Sequence, residues 1–198
     1  MSNIAVLVSG GGTNLQALID AQGNVLQHGK IELVISSKPD VYALQRAEKA
    51  GIDHCVIAKR DYITQEEFST ALLKKLQSYQ IDMIVLAGYL SILDETIIRA
   101  YPDRIINIHP SLIPSFCGKG YYGLKVHEAA LEYGVKVTGA TVHLVNEIPD
   151  GGKILLQKAV DILPSDTPEV LQQRVMEEAE WILLPQATEM IAKEIEGK

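Results

Sequence analysis

The strongest constraint on the fold is a regular alternation of short, β-branched apolar runs with longer segments of helical periodicity. Residues 4–8 and 31–36 are strand-like, and the apolar residues between them recur at helical spacing. Strand, helix and strand in this order form a βαβ unit, whose two strands are parallel. The continuous apolar run at 83–87 is typical of a strand covered on both faces. The sequence therefore predicts an α/β fold with that strand at the centre of its sheet.

The same alternation extends over the rest of the chain and predicts a Rossmann-like three-layer α/β sandwich with a mostly parallel central sheet. The C-terminal helix should begin at Thr167 as N-cap with Pro168 in its first turn, and Pro185 should kink or interrupt it. Ligands of such folds bind at the carboxyl ends of the strands. Further helices are predicted near 41–49, 65–77 and 125–132, and further strands near 54–57, 105–109, 137–145 and 154–160.

Length and composition restrict the class of protein. The 198 residues, 47% of them hydrophobic, can bury one good core, and we expect one domain over residues 1–198. The net charge of −7 argues against broad binding to nucleic acid or to an anionic membrane, because both favour a basic surface. We expect no signal peptide and no membrane-spanning segment. Cys55 and Cys117 are too few for a zinc site or a disulfide framework, which favours a reducing cytoplasm. For the oligomeric state, the sequence leaves a monomer and a homodimer as alternatives.

Three consecutive glycines, 10–12, follow the first strand and precede a helix that opens at Thr13-Asn14. Free backbone N–H groups and the helix dipole converge at such a point, which predicts an anion site. The dinucleotide fingerprint is incomplete, because Leu15 stands where its last glycine belongs and residues 36–38 lack the acidic residue that holds a ribose. The pattern favours a phosphate over a dinucleotide. Alternatively, the glycines only form a tight turn.

A carboxamide and an imidazole lie two residues apart at the end of an apolar run, in Asn107-Ile108-His109-Pro110. Alternation places both side chains on one face of a strand that Pro110 ends. An amide donor beside a titratable ring suits a reaction in which a carbonyl oxygen becomes an oxyanion and a proton is delivered. Asp150, on a turn with two following glycines, offers a carboxylate that orients and charges the ring. The alternative is a histidine whose hydrogen bonds are satisfied at the strand end and which has no catalytic role.

Three motifs, in this order, resemble the folate-dependent formyltransferase family: the glycine segment 8–16, the segment 107–114 and the turn 150–152. The resemblance covers nearly the whole chain, and the first motif resembles members that formylate glycinamide ribonucleotide (GAR). It implies a formyltransferase fold and transfer of the formyl group of 10-formyltetrahydrofolate, a consumed cosubstrate, to the GAR amine in purine biosynthesis, without a metal. It implies a phosphate-binding half at 1–100 and a catalytic half with the folate loop at 101–198.

The resemblance also implies roles for individual residues. Asn107 would donate to the developing oxyanion, charged His109 would add electrostatic help, and Asp150 would keep the ring charged and share in relaying the proton. The residues that match GAR contacts are Gly12, Thr13, Asn14 and Glu180. The residues that match folate contacts are Gln65, Leu90, Ser91, Ile92, Leu93, Asn107, Asn146 and Glu147.

The chain departs from the family pattern at two folate positions. Ser91 stands where arginine is common, and Gln65 stands near a position where a basic residue reaches the folate glutamate. Both departures weaken the expected grip on the folate tail, and Lys59 and Arg60 are candidates to replace the charge. Without the resemblance, the sequence of the segment 86–93 predicts mostly buried core residues.

Several other residues carry alternatives. Thr141 and His143 alternate on one strand, which predicts that they support Asn107 or the substrate from behind. The alternative for His143 is a core ring whose hydrogen bonds are satisfied there. Three further histidines show no metal-ligand spacing and are predicted to be surface or capping residues. Cys117 is predicted to be chemically inert. The histidines are His28, His54 and His127.

Three other functions are alternatives to GAR formylation. Formyltetrahydrofolate deformylase and methionyl-tRNA formyltransferase share the Asn-x-His-Pro-Ser core. The first carries an extra N-terminal regulatory domain and the second a C-terminal domain that grips tRNA, and we expect neither domain here. A noncatalytic nucleotide-binding module is the rival from another class, and it would leave Asn107, His109 and Asp150 unexplained.

Overall fold

The computed structural model describes residues 1–197 and contains a seven-stranded sheet with helices on both faces, in the strand order β3-β2-β1-β4-β5-β6-β7. The strands are β1 (Ser2–Val8), β2 (Gly29–Ser36), β3 (Asp53–Val56), β4 (Met83–Leu86), β5 (Ile105–His109), β6 (Val137–Leu144) and β7 (Ile154–Asp161). The helices are α1 (Thr13–Ala21), α2 (Tyr42–Lys49), α3 (Gln65–Ser78), α4 (Glu95–Ala100), α5 (Leu124–Tyr133), α6 (Pro168–Val175) and α7 (Trp181–Glu196).

The first five strands are parallel, and β6 and β7 are antiparallel to their neighbours. Strand β4 is fourth of the seven, and all four of its residues are buried. This confirms the predicted α/β sandwich with a mostly parallel sheet and the central position of the apolar run. Helix α4 was absent from the sequence prediction because it has only six residues, too few to show a helical period.

Alternation along β1 shows why the sheet has a core on each face. Ile4, Val6 and Val8 belong to one cluster of buried residues, and Ala5 and Leu7 belong to the other. Successive side chains of a strand point to opposite faces, so all five of these residues contribute to a core. The first cluster includes side chains of α1 and α7, and the second includes side chains of α3 and α4.

The C-terminal helical region begins as predicted but is interrupted earlier than predicted. Thr167 caps α6, its side chain accepting from the Val170 amide, and Pro168 lies in the first turn. The interruption is a π-helical turn, Met176–Glu180, whereas Pro185 lies inside α7. Helix α7 therefore continues through Pro185, and the interruption lies before it. Proline has no amide hydrogen to donate to the carbonyl four residues before it, and the widened turn directly precedes that residue.

The carboxyl ends of β1, β4 and β5 lie side by side. Leu86 pairs with Leu7 on one side and with Asn107 on the other. The glycine loop after β1, the segment after β4 and the segment after β5 therefore meet at one edge of the sheet, which is where open α/β sheets bind ligands. Within residues 1–197, no helix is both long enough and apolar enough to cross a membrane.

Candidate active site

The glycine loop forms a cradle at the N-terminus of α1. Gly12 has a φ of 73°, in the left-handed region, and a Cβ there would lie 2.7 Å from the Ala43 Cβ. Both facts require glycine at this position. A Cβ on Gly10 or Gly11 would meet nothing within 4 Å. The tight turn is therefore real, but it explains only one of the three glycines. The open N-terminus of α1 has the polarity of an anion site.

Two side chains from a distant segment, those of Met176 and Glu180, complete the cradle. The Asn14 amide donates to Glu180 Oε2 at 2.7 Å, and the Thr13 hydroxyl contacts Met176 Sδ at 3.6 Å. Glu180 ends the π-helical turn and is 6% exposed. Burial raises its pKa to about 7, and the Asn14 hydrogen bond only partly opposes this rise. The structure thus brings together all four residues that were assigned to GAR.

A groove of about 500 Å³ opens from this cradle between α1 and α7. Thr13 and Arg46 lie in its wall near the cradle, and Trp181 and Pro185 line the side contributed by α7. The groove therefore begins at Thr13, beside the cradle, and follows α1 as far as Asn24 and Val25.

A second cluster lies at the end of β5. His109 Nδ1 is 3.6 Å from Asp150 Oδ2, and its Nε2 donates to the Phe116 carbonyl at 2.9 Å. The Gly118 amide donates to the same Asp150 oxygen at 2.8 Å. Asp150 has a φ of 55°, a conformation that aspartate adopts more easily than most residues. The imidazole therefore lies between two oxygen acceptors, and only its doubly protonated form offers an N–H to both.

The Asn107 amide is oriented by His143, its partner across the β5–β6 ladder. His143 Nδ1 donates to the Leu144 carbonyl at 2.8 Å, and its Nε2 lies 3.1 Å from Asn107 Nδ2 and 3.6 Å from Asp150 Oδ1. Asn107 Nδ2 lies 3.5 Å from the same Asp150 oxygen. Of the two supports predicted behind Asn107, His143 contacts it, whereas the Thr141 hydroxyl donates to the Ser111 carbonyl at 2.6 Å.

Burial and the neighbouring acceptors act on His109 in opposite directions. Burial has the largest effect and lowers the pKa of the ring, and Asp150 and the Phe116 carbonyl, which favour the charged ring, offset this only in part. Burial alone would raise the pKa of Asp150, but His143, His109 and the Gly118 amide together hold it below its usual value.

The prediction of a surface or capping role was wrong for His127. This residue is fully buried on α5, and neither ring nitrogen has a hydrogen-bond partner within residues 1–197. Burial, with a smaller effect of His109, lowers its pKa to about 4. The ring is thus neutral and belongs to the surroundings of the catalytic cluster. The lone histidine gave no periodic signal that separates a buried ring from an exposed one.

The residues predicted to contact folate occupy three segments with different surroundings. After β4, Leu90 and Ile92 are 52% and 71% exposed, whereas Leu93 packs in the core and Ser91 is half-buried. The Leu90 amide donates to Ser9 Oγ at 2.8 Å, which ties this segment to the end of β1. Ser9 had not been singled out, because one serine beside a glycine run carries no distinctive pattern.

The other two segments lie in the loop before Asp150 and at the start of α3. Asn146 and Glu147 are exposed, and Asn146 Oδ1 accepts from the Ile148 amide at 3.0 Å, which folds the loop onto itself. Gln65 opens α3, and its side chain donates to Ser69 Oγ at 3.2 Å. Lys59 and Arg60, the proposed replacements for the missing charge, are exposed in a 3-10 turn shortly before Gln65.

The Cys117 thiol near the cluster stays protonated. Burial raises the pKa of Cys117, as does the charge of Asp150, and its thiol lies 3.3 Å from the Pro114 carbonyl. Both changes leave the thiol protonated. Across residues 1–197, no group of three or more His, Cys, Asp or Glu side chains is arranged to hold a metal ion.

An open, mostly parallel sheet with a glycine-loop cradle after β1 and an amide, imidazole and carboxylate cluster at β5 defines a Rossmann-like α/β protein with its candidate site at the carboxyl ends of the strands. Residues 2–188 match the family model described as formyl transferase. The chain therefore belongs to the formyl transferase family.

The relatives agree along nearly the whole chain. The phosphoribosylglycinamide formyltransferase of Haemophilus influenzae is 43% identical over 90% of this chain and 82% of its own length. The trifunctional purine biosynthetic protein adenosine-3 of Drosophila melanogaster is 44% identical over 95% of this chain, which spans only 14% of that protein. The structure of glycinamide ribonucleotide transformylase 1 from Symbiobacterium toebii has a TM-score of 0.91 and 42% identity, and covers 98% of this chain and 89% of its own.

Proposed function

We propose that this protein is a GAR formyltransferase, which transfers the formyl group of 10-formyltetrahydrofolate to the amine of GAR and gives N-formyl-GAR and tetrahydrofolate. The observation that carries the proposal is the juxtaposition of the phosphate cradle after β1 and the acid–base cluster at β5, with only β4 between them. Strands two positions apart in a sheet are roughly 10 Å apart, a distance that a ribose phosphate bearing a glycinamide can span. Relatives named for this reaction support the proposal.

GAR binds with its phosphate at the cradle. The backbone N–H groups at Gly12, Thr13 and Asn14 face the anion, and the Thr13 hydroxyl is a further donor. Glu180, held by Asn14 at 2.7 Å, accepts from the amine or the ribose.

The folate lies between the segment at residues 90–93 and the loop with Asn146 and Glu147. The exposed side chains of Leu90 and Ile92 offer apolar surface to its ring system, and Leu93 contributes backbone only, since its side chain is in the core. Gln65 lies toward the folate tail with weaker attraction than a basic residue has, and Lys59 and Arg60 supply positive charge nearby.

The chemistry follows from the pairing of His109 with Asp150. The GAR amine attacks the formyl carbon, a C–N bond forms, and the carbonyl oxygen becomes an oxyanion that the Asn107 amide stabilises. The neutral imidazole takes the proton of the attacking nitrogen, and Asp150 stabilises the charged ring that results. The ring then gives the proton to the leaving nitrogen of the folate as the original C–N bond breaks. Holding amine and formyl group together contributes much of the acceleration.

The same function implies a division of the chain into two halves, its partners and its location. Residues 1–100 form the phosphate-binding half, and residues 101–198 form the catalytic half with the folate loop; residue 198 lies outside the described residues. GAR and folate are the partners, and the protein acts in the cytoplasm, which the two free cysteines support.

The test supplies 10-formyltetrahydrofolate with and without GAR and follows tetrahydrofolate by absorbance and N-formyl-GAR by mass spectrometry. We expect turnover that depends strictly on GAR and equal amounts of the two products. Turnover with water alone would identify a deformylase. Nucleotide binding without any turnover would identify a noncatalytic module. The His109→Ala protein, compared in parallel, controls for contaminating activity.

A further inference from the structure

We propose that Arg46 is a positioning residue for the phosphate cradle: its guanidinium holds the glycine loop so that successive backbone N–H groups point at the substrate phosphate. This inference rests on the proposed function, because it concerns the same anion site. Arg46 lies on α2 and is separate in sequence from the glycine motif.

Three consecutive carbonyls of the loop are held by the protein. The Ala43 amide donates to the Gly10 carbonyl at 3.2 Å, and Arg46 Nε donates to the Gly11 carbonyl at 2.9 Å. The Gln16 amide donates to the Gly12 carbonyl at 2.9 Å.

Fixing the carbonyls fixes the amides. In a planar trans peptide the C=O and N–H bonds point in opposite directions, so each held carbonyl directs the N–H of the next residue away from its partner. The affected N–H groups are those of Gly11, Gly12 and Thr13, and they make no backbone hydrogen bond among residues 1–197. Successive free N–H groups of this kind form an anion-binding nest.

The guanidinium is itself locked in place. Arg46 Nη1 donates to Gln16 Oε1 at 2.9 Å, and the guanidinium carbon lies 4.8 Å from the centroid of the Tyr42 ring. One planar group therefore links the loop carbonyl to the first turns of α1 while it stacks on α2. The close contact of Gly12 with Ala43 leaves no space for the loop to shift toward α2.

This arrangement requires the geometry of arginine as well as its charge. Nε and Nη1 are both used within the protein, so the role is to orient the loop. Lysine would keep the charge, but a single ammonium group cannot reproduce two donors fixed in one plane and stacked on a ring. Arg46→Lys therefore separates positioning from simple attraction of the phosphate.

Lys49 provides a matched control. It lies one turn further along α2, and its ammonium group is 5.6 Å from the same Tyr42 ring. Lys49→Met removes one positive charge from the same helix without touching a loop carbonyl.

The experiment measures KM and kcat for GAR with the wild-type protein and with the Arg46→Lys, Arg46→Met and Lys49→Met variants, each checked for folding by its melting temperature. It repeats the measurement with glycinamide riboside, which lacks the phosphate. For both Arg46 variants we expect KM for GAR to rise roughly 10- to 100-fold, as for a lost hydrogen bond to a charged group, while kcat and KM for the folate change less than about threefold. The riboside kinetics and the Lys49→Met protein should match the wild type.

Two outcomes would overturn the proposal. Wild-type affinity for GAR in Arg46→Lys would show that charge alone matters, and equal losses for GAR and riboside would show a general structural role. Calorimetric binding of ribose 5-phosphate to the same four proteins needs no turnover. If the wild type lacked formyl transfer but bound ribose 5-phosphate in an Arg46-dependent way, the proposed function would fail and this inference would stand.

Discussion

The phosphate cradle and the catalytic cluster lie at the same edge of the sheet but are built in different ways. The cradle uses backbone groups of one continuous segment, 10–14, held from α2 and from Glu180. The cluster uses side chains of β5, β6 and the loop that carries Asp150, joined by contacts of 3.1–3.6 Å. A backbone site depends on conformation, whereas a side-chain cluster depends on chemical identity. We therefore expect substitutions in the cluster to reduce the rate and substitutions in the cradle to reduce GAR binding or stability.

The largest effect is expected at Asp150. Asp150→Asn keeps the size and tolerates the left-handed backbone at φ 55°, but removes the charge that stabilises the protonated ring. The single-turnover rate should fall by roughly two to four orders of magnitude. Because His109 and Asp150 act together, adding His109→Ala should cost little more. Additive losses would contradict the pairing. NMR titration of His109 should show its pKa lowered further in Asp150→Asn, and an unchanged pKa would assign Asp150 to shaping the loop.

On the cradle side, Glu180 should make stability depend on pH. Its folded pKa of about 7 is above the usual 4.5, so the folded state binds the proton more tightly. Its contribution is complete below pH 4.5 and is lost as the pH rises through 7, a change on the order of 3 kcal/mol. Glu180→Gln keeps an acceptor for Asn14 and should flatten this part of the curve. Denaturant unfolding of both ligand-free proteins from pH 4.5 to 8 measures it. Parallel curves would mean that Glu180 stays ionised.

Asn107→Asp tests the cluster by a change of charge at constant size. The carboxylate would repel an oxyanion that the amide stabilises, so the chemical step should slow by about a hundredfold. Rapid-quench measurement with saturating substrates isolates that step. GAR affinity, measured by calorimetry, should hardly change, because the cradle is not altered. A normal chemical rate would leave Asn107 as a structural residue of the strand end.

The smallest effect is expected for the pair Gly12→Ala and Gly11→Ala. Gly12→Ala places a Cβ 2.7 Å from the Ala43 Cβ on a backbone with φ 73°, so the loop must shift. GAR affinity should fall about tenfold, consistent with 1–2 kcal/mol of left-handed strain. Gly11→Ala meets nothing within 4 Å and is the matched control. Calorimetry and melting temperatures compare the two proteins. Equal behaviour would contradict the importance of the Gly12 conformation.

Local sequence patterns predicted most of the fold. Apolar runs located the strands, and Thr167 with Pro168 located the start of α6, because these signals depend on neighbours in the chain. The same holds for the cradle, in which a glycine run between a strand and a helix places the free amides. Helix α4 and the position of the interruption before Pro185 escaped prediction, since α4 is too short to show a helical period and the effect of Pro185 falls on the turn before α7.

The sequence by itself determined which groups were available: an amide and an imidazole on one strand face, a carboxylate on a glycine turn, and an anion site after β1. Only the tertiary structure decided their electrical state and their partners. Burial lowers the pKa of His109 and brings the pKa of Glu180 to about 7. The pairing of β5 with β6 sets His143 against Asn107, and α2 brings Arg46 to the glycine loop. Desolvation and contacts between distant segments depend on the whole packed chain, and no local pattern encodes them.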